Sequence, residues 1–155
     1  MPTPIRLAEP ADLDQIVQLR MRLFDDATEM NGVGPDEAIL KVTVDYFRQS
    51  FDKDDCKTWV AFVDQHVVAV GSLAVFCRPP YPGNLAGKDA YLLNMYTLPE
   101  YRRRGYAQAI LKEAMQYAQQ QGFGKIWLHA TADGQPVYAG AGFAPSADYM
   151  EWSVH

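Results

Sequence analysis

The spacing of hydrophobic residues in the first third of the chain predicts a short strand followed by two helices. Residues 4–8 form the strand, and apolar positions then recur every three or four residues over 10–27, which is typical of an amphipathic helix. Pro10 suits the first turn of that helix. The sequence NGVGP at 31–35 ends it, because glycine and proline interrupt regular structure. The same spacing predicts a second helix over 36–51.

The rest of the chain alternates between strands and helices. Two runs rich in β-branched and aromatic residues meet at a tight turn near Gln65, which indicates a β-hairpin. The segment 78–89 contains three prolines and two glycines and is expected to be irregular. The predicted elements are strands over 58–64, 66–77 and 90–98, a helix over 105–121, a strand over 125–131, a helix over 133–142 and a strand over 149–154.

This element order, βααβββαβαβ, predicts one α/β domain of the α+β type that covers residues 1–155. A chain of 155 residues is long enough for one compact core and short for two. The hydrophobic fraction of 48% supports a folded core and argues against extensive disorder. No repeat or low-complexity tract divides the sequence.

Charge and composition narrow the class of protein. The formal net charge of −5 does not favour a nucleic-acid or anionic-membrane partner. The longest apolar run, residues 67–77, is too short to span a bilayer, and the first ten residues contain no apolar signal segment. Cys56 and Cys77 are the two cysteines, and their spacing fits no metal site. We therefore expect a reduced, cytoplasmic protein without a bound metal.

Three successive arginines, Arg102 to Arg104, stand between a strand that ends before Pro99 and a helix that opens at Gly105. The first amides of a helix have no intrahelical acceptor, and the helix dipole makes this end partly positive. A phosphate can accept those amide hydrogens while guanidinium groups add charge. The segment therefore predicts a diphosphate site, with a solvated turn as the plainer alternative. Neither a P-loop nor a G-x-G-x-x-G motif is present.

The sequence YTLPEYRRRGYAQAIL resembles the acyl-CoA pyrophosphate loop of the GNAT N-acetyltransferase superfamily. Arg102, Gly105 and Ala107 fill the family pattern Arg/Gln-x-x-Gly-x-Gly/Ala. A second segment, PVYAGAGF at 136–143, resembles the late LYxxxGF segment of the family. Both segments lie in the expected elements and order, so the resemblance covers nearly the whole chain. It implies a central mixed, mostly antiparallel sheet flanked by helices.

The resemblance also implies functional residues. Backbone groups of Met95, Tyr96 and Thr97 would bind the acyl and pantetheine parts of acetyl-CoA, which is then a cosubstrate. Tyr138 would protonate the departing thiolate, although a core aromatic residue on a short helix is the alternative explanation. The pyrophosphate would be held by amides and side chains of Arg102, Arg103, Arg104, Gly105, Tyr106 and Ala107.

The general base is not evident from the sequence. Many members of the family place a carboxylate or histidine on the strand before the pyrophosphate loop, where this chain has Tyr91, Leu93 and the polar but non-basic Asn94. Water could also carry the proton away. The candidates near the end of the first helix, which a solvated helix end explains just as well, are Asp25, Asp26 and Glu29.

Two further observations concern the segment before the last helix. His129 lies in a strand that looks buried, where a satisfied core or edge histidine is expected rather than a catalyst. The family often has Asn and Ala where this chain has Thr131 and Gly134, which weakens any prediction of cofactor contacts there. No two histidines have the spacing of metal ligands, and no G-x-S-x-G motif indicates a covalent nucleophile.

The expected acceptor site involves the first two helices. Acidic residues outnumber basic ones over residues 9–55, which would flank the acceptor cleft in this fold. The imbalance suggests a modest preference for cationic amines, although an ordinary solvated helix face explains it as well. The proline-rich loop 78–84, which contains Tyr81, is either a second wall of the pocket or a surface connection.

These features predict an enzyme that transfers an acetyl group from acetyl-CoA to a primary amine by direct attack. A non-catalytic acyl-CoA-binding sensor is the alternative, because no base is visible. The acidic balance opposes a third hypothesis, a nucleic-acid module using Arg102 to Arg104. The expected partners are acetyl-CoA and an amine acceptor, without nucleic acid or membrane, and a homodimer is compatible with these features.

Overall fold

The computed structural model describes residues 4–31, 34–146 and 148–154, and for residues 28–31 the helical backbone alone. Its strands and helices are, in chain order, β1 (Ile5–Leu7), α1 (Leu13–Asn31), α2 (Glu37–Ser50), β2 (Cys56–Val63), β3 (His66–Cys77), β4 (Lys88–Thr97), α3 (Tyr106–Gln120), β5 (Ile126–Trp127) and α4 (Gln135–Gly140). Short 3-10 turns, Pro10–Asp12 and Pro99–Tyr101, precede α1 and follow β4.

The strands form one five-stranded sheet in the order β1-β2-β3-β4-β5. Each neighbouring pair is antiparallel except β4 and β5, which are parallel because α3 crosses over between them. α3 packs on one face of the sheet, and α1 and α2 pack on the other. The predicted fold class, a mixed and mostly antiparallel sheet flanked by helices, is confirmed.

Each face of the sheet has its own hydrophobic core. Leu73, Ile110 and Leu111 are fully buried between the sheet and α3, in agreement with the apolar stripe that predicted this helix. Ile16 and Val60 are fully buried on the opposite face, beneath α1 and α2. Helices therefore cover both faces of the sheet.

The predicted tight turn near Gln65 joins β2 to β3. Asp64 and Gln65 both adopt left-handed backbone conformations, with φ of 49° and 68°. Two successive residues of this kind form the turn whose twist matches that of a hairpin. The predicted hairpin is confirmed.

The proline-rich loop between β3 and β4 is held by buried polar contacts. Arg78 Nη2 lies 2.7 Å from Oδ2 of the fully buried Asp89. Asn84 Nδ2 donates to Asp89 Oδ1 (3.0 Å), and Asn84 Oδ1 accepts the amide of Gly87 (3.1 Å). These contacts give the loop a structural explanation, and its role as a wall of the acceptor pocket stays a prediction.

A β-bulge interrupts β4. Ser72 pairs with Leu93 and Val70 pairs with Tyr96, so Asn94 and Met95 both lie opposite Gly71 of β3. Asn94 has a left-handed φ of 58°, as the extra residue of a bulge often does. Gly71 is required there, because a Cβ would collide with the Met95 sulfur and with Ile110 Cγ2.

β5 is shorter than predicted. β5 pairs with β4 only at Ala90–Ile126 and Tyr91–Trp127, before the bulge begins. The strand predicted over 125–131 is therefore Ile126–Trp127. Beyond Tyr91 and Trp127, β4 and the residues after β5 are no longer paired.

The strand predicted over 149–154 is not formed within the described residues. Residues 148–154 have no strand assignment, and Met150 and Trp152 are 98% and 84% exposed. Alternation of polar and apolar residues predicts a strand only where a sheet edge accepts it. With two paired residues, β5 offers too short an edge for a further strand.

Candidate active site

The amino end of α3 is exposed and its first amides are free. Gly105 precedes the helix in a left-handed conformation with φ of 86°, and Arg103 has φ of 63°. Within the described part of the chain, no group accepts the amide hydrogens from Arg103 to Gln108. A Cβ on Gly105 would meet no atom within 4 Å. Free amides on an open, partly positive helix end are suited to bind a phosphate.

The three arginines of this loop differ in their contacts. Arg102 Nε donates to the carbonyl of Thr97 (2.9 Å), and its guanidinium lies over the Tyr96 ring. Arg102 Nη2 also lies 3.4 Å from Asp26 Oδ2. Arg102 therefore ties the loop to the end of β4. Arg104 lies over the Tyr101 ring at 5.3 Å from its centroid and has no carboxylate partner among the described residues.

The edge of β4 that faces β5 is unpaired beyond Tyr91. The pairing of the two strands ends at Trp127, so on that side Met95 and Tyr96 have no neighbouring strand among the described residues. An exposed strand edge can bind an extended, amide-containing chain through backbone hydrogen bonds. The free edge leads directly to the arginine loop, and the pantetheine arm of acetyl-CoA is such a chain.

A groove of about 450 Å³ runs between α3 and α4. Leu111, Met115 and Val137 form its apolar part, and Gln108 lines it near the amino end of α3. This volume lies within the range of sites that bind small molecules and cofactors. The groove therefore connects the amino end of α3 with α4.

Tyr138 lies on α4, half-buried against the core on the α3 side of the sheet. Its ring contacts Phe143 in an edge-to-face arrangement with centroids 6.0 Å apart. Burial, with a smaller contribution from nearby Tyr91, raises the pKa of the Tyr138 hydroxyl. The hydroxyl therefore keeps its proton at neutral pH, as a proton donor must.

Tyr91 and His129 form a hydrogen-bonded pair that the sequence did not predict. Tyr91 Oη lies 2.6 Å from His129 Nδ1, and His129 Nε2 lies 2.9 Å from Tyr149 Oη. His129 is exposed and lies beyond the end of β5 at Trp127, so the expectation of a buried strand there was wrong. Both of its ring nitrogens have hydrogen-bond partners, as expected of a satisfied histidine. Burial raises the pKa of Tyr91, which keeps this phenol neutral at pH 7.

The other base candidates have different surroundings. Asp26 Oδ2 accepts the hydroxyl of Tyr96 (2.8 Å) and lies near Arg102, so its carboxylate joins α1 to the arginine loop. Asp25 is exposed on α1. The side chain of Glu29 lies outside the described part of the chain.

Thr131 and Gly134, the two departures from the family pattern, shape the start of α4. Thr131 Oγ1 accepts the amide of Gly134 (3.1 Å), and the Thr131 carbonyl accepts that of Gln135 (3.0 Å). A Cβ on Gly134 would lie 3.1 Å from Tyr138 Cε2. These residues therefore orient the helix that carries Tyr138.

The mixed, mostly antiparallel sheet flanked by helices is consistent with the fold of GNAT acetyltransferases. The model of the acetyltransferase (GNAT) family matches residues 15–143. The chain belongs to this family and is an acyltransferase enzyme. No curated protein sequence matches it significantly.

Solved structures agree with this assignment. The structure of a predicted acetyltransferase with acetyl-CoA from Clostridium acetobutylicum is 28% identical, covers 98% of this chain and 96% of its own, and has a TM-score of 0.86. A GCN5-related N-acetyltransferase from Ralstonia eutropha JMP134 is 27% identical, with 99% of both chains covered and a TM-score of 0.79. Glucosamine-6-phosphate N-acetyltransferase from Arabidopsis thaliana, 14% identical over 100% of both chains with a TM-score of 0.73, shares the fold.

Two findings apply to the described residues alone. None of their helices is both long and apolar enough to cross a membrane. Their His, Cys, Asp and Glu side chains form no group of three or more that could hold a metal ion.

Proposed function

We propose that the protein transfers an acetyl group from acetyl-CoA to a primary amine, by direct attack of the amine on the bound thioester. The observation that carries this proposal is the run of free amides from Arg103 to Gln108 beside the unpaired edge of β4. The amides and the charges of Arg103 and Arg104 would hold the pyrophosphate, with Gly105, Tyr106 and Ala107 forming the helix end. Arg102 would position this loop, and the backbone of Met95 to Thr97 would bind the pantetheine and acyl groups.

Attack requires a neutral amine. An alkyl amine with a pKa of about 10.4 must lose a proton at pH 7, at a cost of roughly 4.6 kcal/mol. A proton acceptor near the nucleophile reduces that cost.

The Tyr91–His129 pair would accept this proton. An N–H proton of the attacking amine moves to Tyr91 Oη, while the hydroxyl proton of Tyr91 moves to His129 Nδ1. The exposed imidazole then returns a proton to solvent, through Nε2 and Tyr149 Oη. Histidine suits this task because one nitrogen of the neutral imidazole accepts a proton while the other donates one.

Tyr138 would complete the reaction as the proton donor. Collapse of the tetrahedral intermediate forms the amide bond, breaks the carbon–sulfur bond and leaves a thiolate. Because that thiolate has a conjugate acid with a pKa of about 8.5, it is already a fair leaving group. The proton from Tyr138 Oη therefore contributes a modest, late step.

The test combines a binding measurement with a turnover measurement. Calorimetry with acetyl-CoA should show binding that free CoA competes for, and a panel of primary amines should release free thiol with formation of the N-acetyl product. Absence of binding would overturn the proposed site. Binding without acetylation of any amine would instead favour a non-catalytic acyl-CoA sensor.

A further inference from the structure

Arg20 is a half-buried cation on the inner side of α1. Its Nη1 lies 3.4 Å from Asn94 Oδ1 at the β4 bulge, and its guanidinium is 4.8 Å from the centroid of the Phe24 ring. Tyr46 of α2 and Cys56 of β2 lie close enough to act on it electrostatically. Arg20 therefore lies at the junction of α1, α2 and the sheet.

Arg20 has no carboxylate within ion-pair distance among the described residues, in contrast to five other cations of the chain. Burial lowers its pKa. Burial also raises the pKa of the Tyr46 hydroxyl and of the Cys56 thiol, so both neighbours are neutral at pH 7. A partly desolvated charge without a counter-ion is unfavourable, and a bound anion would relieve it. The cations that do have a carboxylate within 4.0 Å are Arg6, Arg48, Lys57, Arg78 and Arg102.

Asn94 supplies a second unused donor at the same place. The residue is 4% exposed, and its Nδ2 atom is buried without a hydrogen-bond acceptor in the described structure. Buried side-chain donors are nearly always satisfied, so an unsatisfied one needs an explanation. An oxygen atom of a bound anion between Arg20 and Asn94 would provide it.

This pair of donors shares a face of the sheet with the proposed proton acceptor. Tyr91 pairs with Ala74, and Ala74 pairs with Cys56, which belongs to the core under α1 and α2. Directly paired residues of neighbouring strands point to the same face. Tyr91 therefore faces the α1–α2 side of the sheet, where Arg20 contacts Asn94. Met95, which belongs to the proposed acyl site, is the next residue after Asn94.

We infer that the acceptor is an amine that also carries an anionic oxygen group, a carboxylate or a phosphate, which Arg20 and Asn94 bind while the amine faces Tyr91. This inference rests on the proposed function. The guanidinium fork matches both kinds of anion, and charge-assisted hydrogen bonds are the strong ones. A second ammonium group on the acceptor would instead be repelled by Arg20. The surplus of acidic residues over 9–55 predicted the opposite, a preference for cationic amines. The following experiment distinguishes the two predictions.

The experiment compares acceptors that differ only in their anionic group. The probes are amino acids, their carboxamides and their decarboxylated amines, together with phosphoethanolamine and ethanolamine. The wild-type enzyme should prefer an anionic member over its neutral counterpart by at least about tenfold in kcat/KM, which corresponds to about 1.4 kcal/mol. Comparison of the amino acids with phosphoethanolamine shows whether the enzyme prefers a carboxylate or a phosphate. A carboxamide or plain amine used as well as the acid would overturn the inference.

Variants of Arg20 test the assignment of the site. Arg20→Met should remove the preference through a raised KM for the anionic acceptor, with turnover of the carboxamide unchanged, and Arg20→Lys should retain part of it. Arg22→Met, an exposed position on the same helix, is the matched control. Circular dichroism checks that each variant is folded. An unchanged preference in Arg20→Met would remove Arg20 from the site.

Calorimetry separates this inference from the proposed function. The preferred acid, or N-acetylglycine and phosphate if nothing turns over, is titrated into the wild type and Arg20→Met in the presence of CoA. Binding that is lost in Arg20→Met supports the anion site even without turnover. Equal binding to both proteins, or binding to neither, overturns it. Failure of acetyl-CoA itself to bind would count against the proposed function alone.

Discussion

Removal of the Tyr138 hydroxyl tests whether this group donates a proton to the departing thiolate. Tyr138→Phe keeps the ring packed against Phe143 and removes only the proton donor. Because the thiolate is a fair leaving group, we expect kcat to fall by about a hundredfold, the lower end of the range for general acids. The dissociation constant for acetyl-CoA should not change.

Tyr117→Phe is the matched control for this substitution. Tyr117 is also a half-buried tyrosine whose pKa is raised by burial, but it packs against Trp59 and Phe123, away from α4. Its substitution should leave kcat near the wild-type value. Steady-state kinetics with equal turnover in Tyr138→Phe and the wild type would show that Tyr138 is not the proton donor.

His129 is expected to take up the proton that the attacking amine loses. His129→Gln retains a hydrogen-bonding side chain but cannot accept that proton. Steady-state kinetics with a primary amine should show a rate reduced by about a hundredfold, the lower end of the range for general acid–base catalysis.

His129 contacts Tyr91 and Tyr149, so the substitution interrupts the proposed path of the proton from the amine to solvent. His66→Gln, at the start of β3, is the control and should keep the wild-type rate. An unchanged rate in His129→Gln would leave solvent as the proton acceptor.

The proposed pyrophosphate site and the proposed proton acceptor differ in how far the sequence reveals them. Arg102, Gly105 and Ala107 are neighbours in the chain, so their pattern is readable without a structure. His129 meets Tyr91 and Tyr149 across 38 and 20 residues of sequence. No local pattern relates residues so far apart. In the sequence Tyr91 therefore looks like a missing base and His129 like a packing residue.

At the level of elements, the amino end of α3 can be tested by one methyl group. Gly105 has a left-handed φ of 86° with open space around its Cα. Gly105→Ala should lower stability by roughly 1–2 kcal/mol, because side chains disfavour this conformation. It should also weaken acetyl-CoA binding at least several-fold, since the new methyl group stands before the free amides.

Gly122→Ala, at the other end of the same helix, is the matched control. Gly122 has a φ of 72° and equally open surroundings. Its substitution should cost similar stability in urea unfolding and leave the calorimetric affinity for acetyl-CoA unchanged. Equal affinities in both variants would place the pyrophosphate elsewhere.

The elements that the sequence mispredicted are the strands over 125–131 and 149–154. The last two helices follow from local spacing, and Gly105, Gly122 and Gly142, each with positive φ, lie at their boundaries. The length of β5 instead depends on how far β4 runs beside it, and the pairing ends at Tyr91. The partners of a strand are distant in sequence. The alternation of polar and apolar residues therefore could not show that residues 128–131 and 149–154 have no sheet edge with which to pair.

For the molecule as a whole, partly desolvated tyrosines link folding to pH. Burial is the largest cause that raises the pKa of tyrosines on α2, β4, α3 and α4, namely Tyr46, Tyr91, Tyr96, Tyr117 and Tyr138. Each hydroxyl keeps its proton in the folded protein beyond the pH, about 10, at which the unfolded chain releases it. The stability contributed by the neutral hydroxyls is fully present below that pH and is lost as the pH rises through the folded-state values.

The protein should therefore unfold at alkaline pH while tyrosines are still protonated in the native state. Urea unfolding should show a free energy of unfolding that declines above about pH 10, and ultraviolet absorbance should show native tyrosines ionising later than those of the urea-unfolded chain. Tyr46 has the largest shift, and it lies beside Cys56 and Arg20. Tyr46→Phe should therefore reduce the alkaline decline. If native and unfolded chains ionised together, burial of these hydroxyls would not be what limits stability at high pH.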